Sequence, residues 1–189
     1  MRGSLFAFLV FVFSFSLISE TIIAQETRKI NYFNNTGFSW LSGVGTINGF
    51  TSFKDNNESN WSLSTINGIK HKSSVFGAGL GYEQWHDSFI IPAFFRYQFF
   101  IKDVKPSLYE YFDIGYSFGS MKKQASSQPE EKGRMLISIG LGINIKVNEM
   151  SYVSISTFYK LQRAMIEGYK VDYTTNYHFI GIAIGVSFY

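Results

Sequence analysis

The chain has no cysteine among its 189 residues. That excludes disulfides, thiolate chemistry, cysteine-ligated zinc and an N-terminal lipid-anchored cysteine, and it suits an oxidising envelope compartment. Charge is also scarce: Asp, Glu, Lys and Arg make up 16%, against roughly 25% in an ordinary soluble domain. The formal net charge is +3 and there is no basic run, so no nucleic-acid partner is expected. A mean hydropathy of +0.01 excludes a polytopic helical membrane protein. A transmembrane β-barrel escapes that exclusion, because each of its strands is half polar and the average stays modest.

Aromatic residues, in contrast, reach 19%. The N-terminus reads as a targeting segment. Arg2 supplies a positive start, residues 5–18 form an apolar or Ser-containing run, and Ser19, Glu20 and Thr21 break it. Ala24-Gln25 is a plausible cleavage point. The run is short for a helix that needs about 20 residues to span a bilayer. Residues 1–24 therefore read as a cleavable signal peptide, 25–36 as a short periplasmic N-terminal segment and 37–189 as the barrel.

The ending HFIGIAIGVSFY carries the barrel signal most clearly. Ile180, Ile182, Ile184, Val186 and Phe188 fall on one side of a period-two pattern, while His178, Gly181, Ala183, Gly185 and Ser187 occupy or flank the other. Eight segments of this kind follow one another: 37–48, 61–70, 74–85, 89–100, 107–118, 134–146, 151–161 and 177–188. Each is near the length a tilted strand needs to cross a bilayer. The connections 50–60, 119–133 and 162–176 are long, whereas 71–73, 86–88, 101–106 and 147–150 are short. With both ends in the periplasm, all the long ones face outside, the asymmetry of outer-membrane barrels. The reading is all-β: an eight-stranded antiparallel up-and-down transmembrane β-barrel.

The structural rival is a soluble lipocalin-like carrier, apolar inside and charged outside. Against it, the non-apolar face carries Gly77, Gly79, Gly81, Ser138, Gly140, Gly142, Gly181, Ala183 and Gly185. Such residues suit a crowded interior, where Phe94, Tyr109, Tyr111, Tyr152 and Phe158 would lie opposite them. A Lys or Arg facing lipid at mid-bilayer costs roughly 2–4 kcal/mol, so mid-strand charges should point inward. Alternation puts Arg96, Asp113 and Lys160 there, with Glu110 on the lipid side near the periplasmic end. Counting back from the 101–106 turn sets Arg96 across from Tyr111, one diagonal step from Asp113. An interior Arg96–Asp113 ion pair is expected, structural rather than gating. Trp40, Trp61, Trp85, Tyr82, Phe89, Phe99 and Phe188 lie toward segment ends and read as interfacial girdles.

Together, SLSTINGIKHKSSVFGAGLGYE, the Pro-started IPAFFRYQFF, YEYFDIGYSFG and the closing strand resemble the small outer-membrane β-barrel domain family of Gram-negative bacteria over residues 37–189. The resemblance implies an outer-membrane location, contact with outer-membrane lipid, and a last strand read by the barrel-insertion machinery. Phe188 matches the terminal aromatic of that role, with Tyr189 one residue beyond it. It implies no particular activity.

Some eight-stranded barrels are lipid deacylases with a His and a Ser two residues apart and a nearby acid. His86, Ser88 and Glu83 have that spacing, as base, nucleophile and orienting carboxylate. They also coincide with a tight turn where such residues are ordinary. His71, His86 and His178 are dispersed and suggest no metal site, and no cofactor motif is present. Eight strands enclose little more than side chains, so an open pore is not expected. The remaining function is a non-enzymatic barrel whose loops 50–60, 119–133 and 162–176 serve envelope stability, adhesion or docking of a partner. A deacylase-like enzyme and a soluble lipocalin-like carrier are the alternatives.

Overall fold

Alternating small and branched residues produce eight long strands, and these close on themselves. The computed structural model describes residues 30–48, 53–85, 88–101, 106–122, 130–167 and 173–189. The expected signal peptide, residues 1–24, lies outside them. The strands are β1 (Ile30–Gly43), β2 (Thr46–Asn48), β3 (Phe53–Asp55), β4 (Ser59–His71), β5 (Ser74–Trp85), β6 (Ser88–Phe100), β7 (Ser107–Lys122), β8 (Glu130–Lys146), β9 (Ser151–Glu167) and β10 (Tyr173–Phe188). Strands β1 and β4–β10 form one closed antiparallel barrel, and β2 and β3 pair as a separate small hairpin. Closure joins β1 to β10, with Gly37 opposite Gly185 and Trp40 opposite Ile182, and leaves the barrel sheet no free edge.

The register has a fixed offset. The row from Phe33 runs through Gly68, Gly77, Arg96, Asp113, Ser138, Lys160 and Phe179, and it returns to β1 at Gly43. It re-enters β1 ten residues from where it left. That stagger corresponds to a strand tilt of about 40°.

Three boundaries differ from those expected. β1 begins at Ile30, so residues 30–36 belong to the barrel wall instead of a periplasmic segment. The polar stretch conceals this strand because polar residues face both ways. Asn35 points inward and donates to Ser154 Oγ (2.9 Å) and Ser187 Oγ (2.6 Å). Asn34 and Thr36 point outward and are satisfied by a cross-strand ladder: Asn34 Nδ2 to Asn67 Oδ1 at 2.9 Å, and Thr36 Oγ1 to Thr65 Oγ1 at 2.9 Å. A polar side chain bonded in this way is tolerable on a lipid face. Second, β7 through β10 extend into the expected loops, to 16, 17, 17 and 16 residues, against 13, 12 and 13 for β4 to β6. Since the inner turns are short, the extra length raises the outer wall on one side. Third, the barrel strand ends at Gly43 and not at Asn48: β2 takes the last residues of the expected 37–48 segment and pairs with β3, which lies within the expected 50–60 loop.

The outer face is apolar over a broad band. Ile180, Ile182, Ile184, Val186 and Phe188 are each 42–65% exposed. Equivalents on other strands, among them Leu63, Leu80, Phe95 and Leu141, are 50–72% exposed. In water such a surface would be an aggregation liability; in a bilayer it is the required solvent face. A row of rings crosses four strands on this face: Phe38 to Trp61 (6.2 Å), Trp61 to Tyr82 (5.5 Å) and Tyr82 to Phe89 (5.3 Å). It is one interfacial girdle.

Inside, glycines make room for rings. A Cβ on Gly79 would overlap Phe94, on Gly140 Tyr111, on Gly142 Tyr109, and on Gly181 Phe158. Gly181→Leu is expected to destabilise the barrel by about 1–3 kcal/mol through overpacking. Adding Phe158→Ala should recover much of the loss, as measured by urea unfolding in lipid vesicles.

Candidate functional site

The lumen is divided into three levels. At the inner end Phe33, Val75, Phe100, Tyr109 and Tyr111 form an apolar plug. Tyr189 seals it, lying flat on Tyr152 (4.3 Å, 3°) and beneath Lys70 Nζ, which is 3.4 Å from its ring centre. At the outer end Leu41, Trp85, Ile90, Met121, Tyr177 and Phe179 form a second plug. The Trp85 ring meets Tyr177 and Phe179 edge-on at 5.3 and 5.5 Å. Between the plugs is a polar belt around a cavity of ≈ 80 Å³, lined by serines and by both interior ion pairs. That volume admits a few waters at most.

Arg96 and Asp113 face each other directly in the β6–β7 register, not one diagonal step apart. The contact is bidentate, Nε to Oδ1 and Nη2 to Oδ2, both 2.7 Å. The Arg96 guanidinium also lies 3.8 Å from the Tyr111 ring centre. A planar fork against a carboxylate is the strongest geometry such a pair can adopt.

The second pair, Lys160 with Glu83, was not anticipated from the sequence. Its strands, β9 and β5, are four apart around the barrel of eight, so they stand on opposite walls. The pair therefore bridges the full lumen. Glu83 Oε1 also accepts the Trp85 indole N–H at 3.0 Å. Sequence carried half of this signal: Glu83 shares parity with Gly77, Gly79 and Gly81, and Lys160 was already placed inside.

These contacts bear on the three residues with deacylase-like spacing. His86 lies outside the described residues. Glu83 points into the lumen and is engaged by Lys160 and Trp85. Ser88 is also inward and buried, and its Oγ donates to the Ser120 carbonyl. Trp85 is a further correction. It is 0% exposed and belongs to the outer plug, not to a girdle, because it continues the inward parity of Glu83. His178 takes the lipid face, where its Nδ1 meets the Tyr159 hydroxyl. His71 ends β4 at the inner side, far from it. Phe188 faces outward and is 45% exposed, while Tyr189 turns inward.

No protein-family model matches the sequence, and no curated protein does. The fold does have solved counterparts. Neisserial surface protein A (NspA) is 11% identical with a TM-score of 0.58, over 85% of this chain and 98% of that one. The outer membrane protein AlkL, solved in DMPC bilayers, is 8% identical with a TM-score of 0.51, over 88% of this chain and 92% of that one. Closure, register offset, apolar outer band and these likenesses agree: by fold, this chain is a small eight-stranded outer-membrane β-barrel.

Proposed function

We propose that the protein is a non-conducting, non-enzymatic outer-membrane barrel that acts through its outer surface, by recognition or by supporting the envelope. The observation that carries this reading is the lumen's closure at three levels, with Glu83–Lys160 spanning it between two aromatic plugs. A path for solutes would require moving both plugs and breaking a buried ion pair. Deacylase chemistry finds little support, since Glu83 and the Ser88 hydroxyl are committed to interior contacts. What remains accessible among the described residues is the outer rim, raised along β7–β10.

In planar bilayers the purified protein is expected to give no steady conductance. An ohmic, pore-sized conductance from the wild type would overturn the reading. So would hydrolysis of phospholipid or lipid A that disappears in Ser88→Ala.

A further inference from the structure

The outer rim contains an irregularity with a specific consequence. Strands β8 and β9 pair in one phase from Glu130↔Glu167 to Gly133↔Ala164, and in another from Leu136↔Gln162 onward. Arg134 and Met135 therefore share a single opposite residue, Arg163. Gln162 holds this bulge from inside the barrel. It is fully buried; its Nε2 lies 3.1 Å from the Arg134 carbonyl and 3.4 Å from that of Met135, and its Oε1 accepts from Ser117 Oγ at 2.9 Å. Bulges commonly re-aim a side chain. Here Arg134 emerges on the lipid face, bonded to the Tyr116 hydroxyl, with Nη2 2.9 Å from Met165 Sδ.

Height places this pair at the membrane boundary. From Val153 to Arg163 the outward positions of β9 are Ile155, Thr157, Tyr159 and Leu161, all uncharged. Ten residues at about 3.3 Å each, tilted about 40°, rise roughly 25 Å, which is the whole apolar band of such a barrel. Arg163 thus stands where the outer leaflet's acyl chains give way to headgroups, with Arg134 beside it. Neither arginine has a carboxylate partner among the described residues. Among the described residues Arg163 meets Asn176 Oδ1, at 3.4 Å, whereas the nearby Lys132 has Glu130 at 3.7 Å. Beside Arg134, where the β7–β8 register breaks, a cleft of ≈ 610 Å³ opens between Tyr116, Phe118, Glu130 and Lys132. It is an open groove on the outer face and not an enclosed pocket.

We propose that Arg134 and Arg163 bind a phosphomonoester of an outer-leaflet glycolipid, with part of its sugar lodged in the cleft against Tyr116 and Phe118. Guanidinium forks match phosphate geometry, and flanking aromatics suit the headgroup level. Glu130 stays with Lys132 and keeps the phosphate toward the two arginines. The site rests on the lipid-facing orientation of β8–β9, not on any role of the loops, so it stands or falls separately from the non-conducting reading.

The test uses the full barrel in detergent micelles doped with lipid A carrying two phosphates, one or none, read by native mass spectrometry. Bound lipid is expected to fall at least tenfold from two phosphates to none. It should fall similarly for wild type against the double variant Arg134→Gln/Arg163→Gln, with Arg134→Lys/Arg163→Lys intermediate. Inorganic phosphate at millimolar concentration should not displace the lipid. Equal retention of all three lipids by the wild type would overturn the site, and this arm needs no variant to fold. Unchanged retention by the folded double Gln variant would also overturn it, and displacement by inorganic phosphate would reassign it to a free anion.

Discussion

Asp113→Ala is expected to destabilise the barrel by about 3–5 kcal/mol, the usual result of removing one partner from a buried ion pair. The Arg96 side chain is 12% exposed and that of Asp113 is 7%. Both carboxylate oxygens are committed to the guanidinium, and alanine replaces neither. Arginine cannot shed its charge, so the cation would remain in the lumen facing the Tyr111 ring at 3.8 Å and the Phe94 ring at 5.9 Å, neither of which carries a countercharge. The double variant Arg96→Met/Asp113→Leu should recover most of the loss. A buried pair is worth little net against well-packed apolar residues, although breaking it is expensive. Unfolding by urea in lipid vesicles, followed by tryptophan fluorescence, measures both. A cost under 1 kcal/mol for Asp113→Ala would mean that water, not Asp113, solvates Arg96.

The barrel was legible where one parity is apolar and the other is rich in Gly, Ala and Ser, as in β5, β8 and β10. It was least legible in β1, where Asn34 and Thr36 face lipid; only the partners Thr65 and Asn67, on a strand elsewhere in the chain, make that tolerable. Local parity identified the inward charges, but it could not fix register. The inner turn pairs Phe100 with Tyr109, which sets Arg96 on Asp113 and not on Tyr111. The Glu83–Lys160 contact depends on the offset accumulated around the whole barrel, a quantity no single hairpin contains. Trp85 shows parity outranking position: its place near a strand end suggested a girdle, yet its phase with Glu83 turns it inward. The Arg134 bulge left no trace in the alternation beyond a break at Gly133. Its cause, Gln162, acts from the neighbouring strand.

Glu83→Ala should match or exceed the cost of Asp113→Ala, because one carboxylate serves two partners. Its loss leaves the Lys160 ammonium, 7% exposed, without an acceptor, and it strips the Trp85 indole N–H of its own. Breaking the ion pair costs about 3–5 kcal/mol and an orphaned buried donor about 1–3 kcal/mol. The two should add incompletely, since they share one side chain. Glu83→Gln separates them: the amide oxygen can still accept from Trp85, while the charge on Lys160 goes unanswered. It should therefore fall between wild type and Glu83→Ala. Lys160→Met added to Glu83→Gln should restore much of the remainder by removing the stranded cation. None of these variants should conduct, because both aromatic plugs stay in place above and below the bridge. The same series bears on the deacylase alternative. If Glu83 oriented a catalytic histidine, Glu83→Gln would abolish lipid hydrolysis and leave unfolding nearly unchanged. As a strut between opposite walls, it should change unfolding whether or not any lipid is hydrolysed.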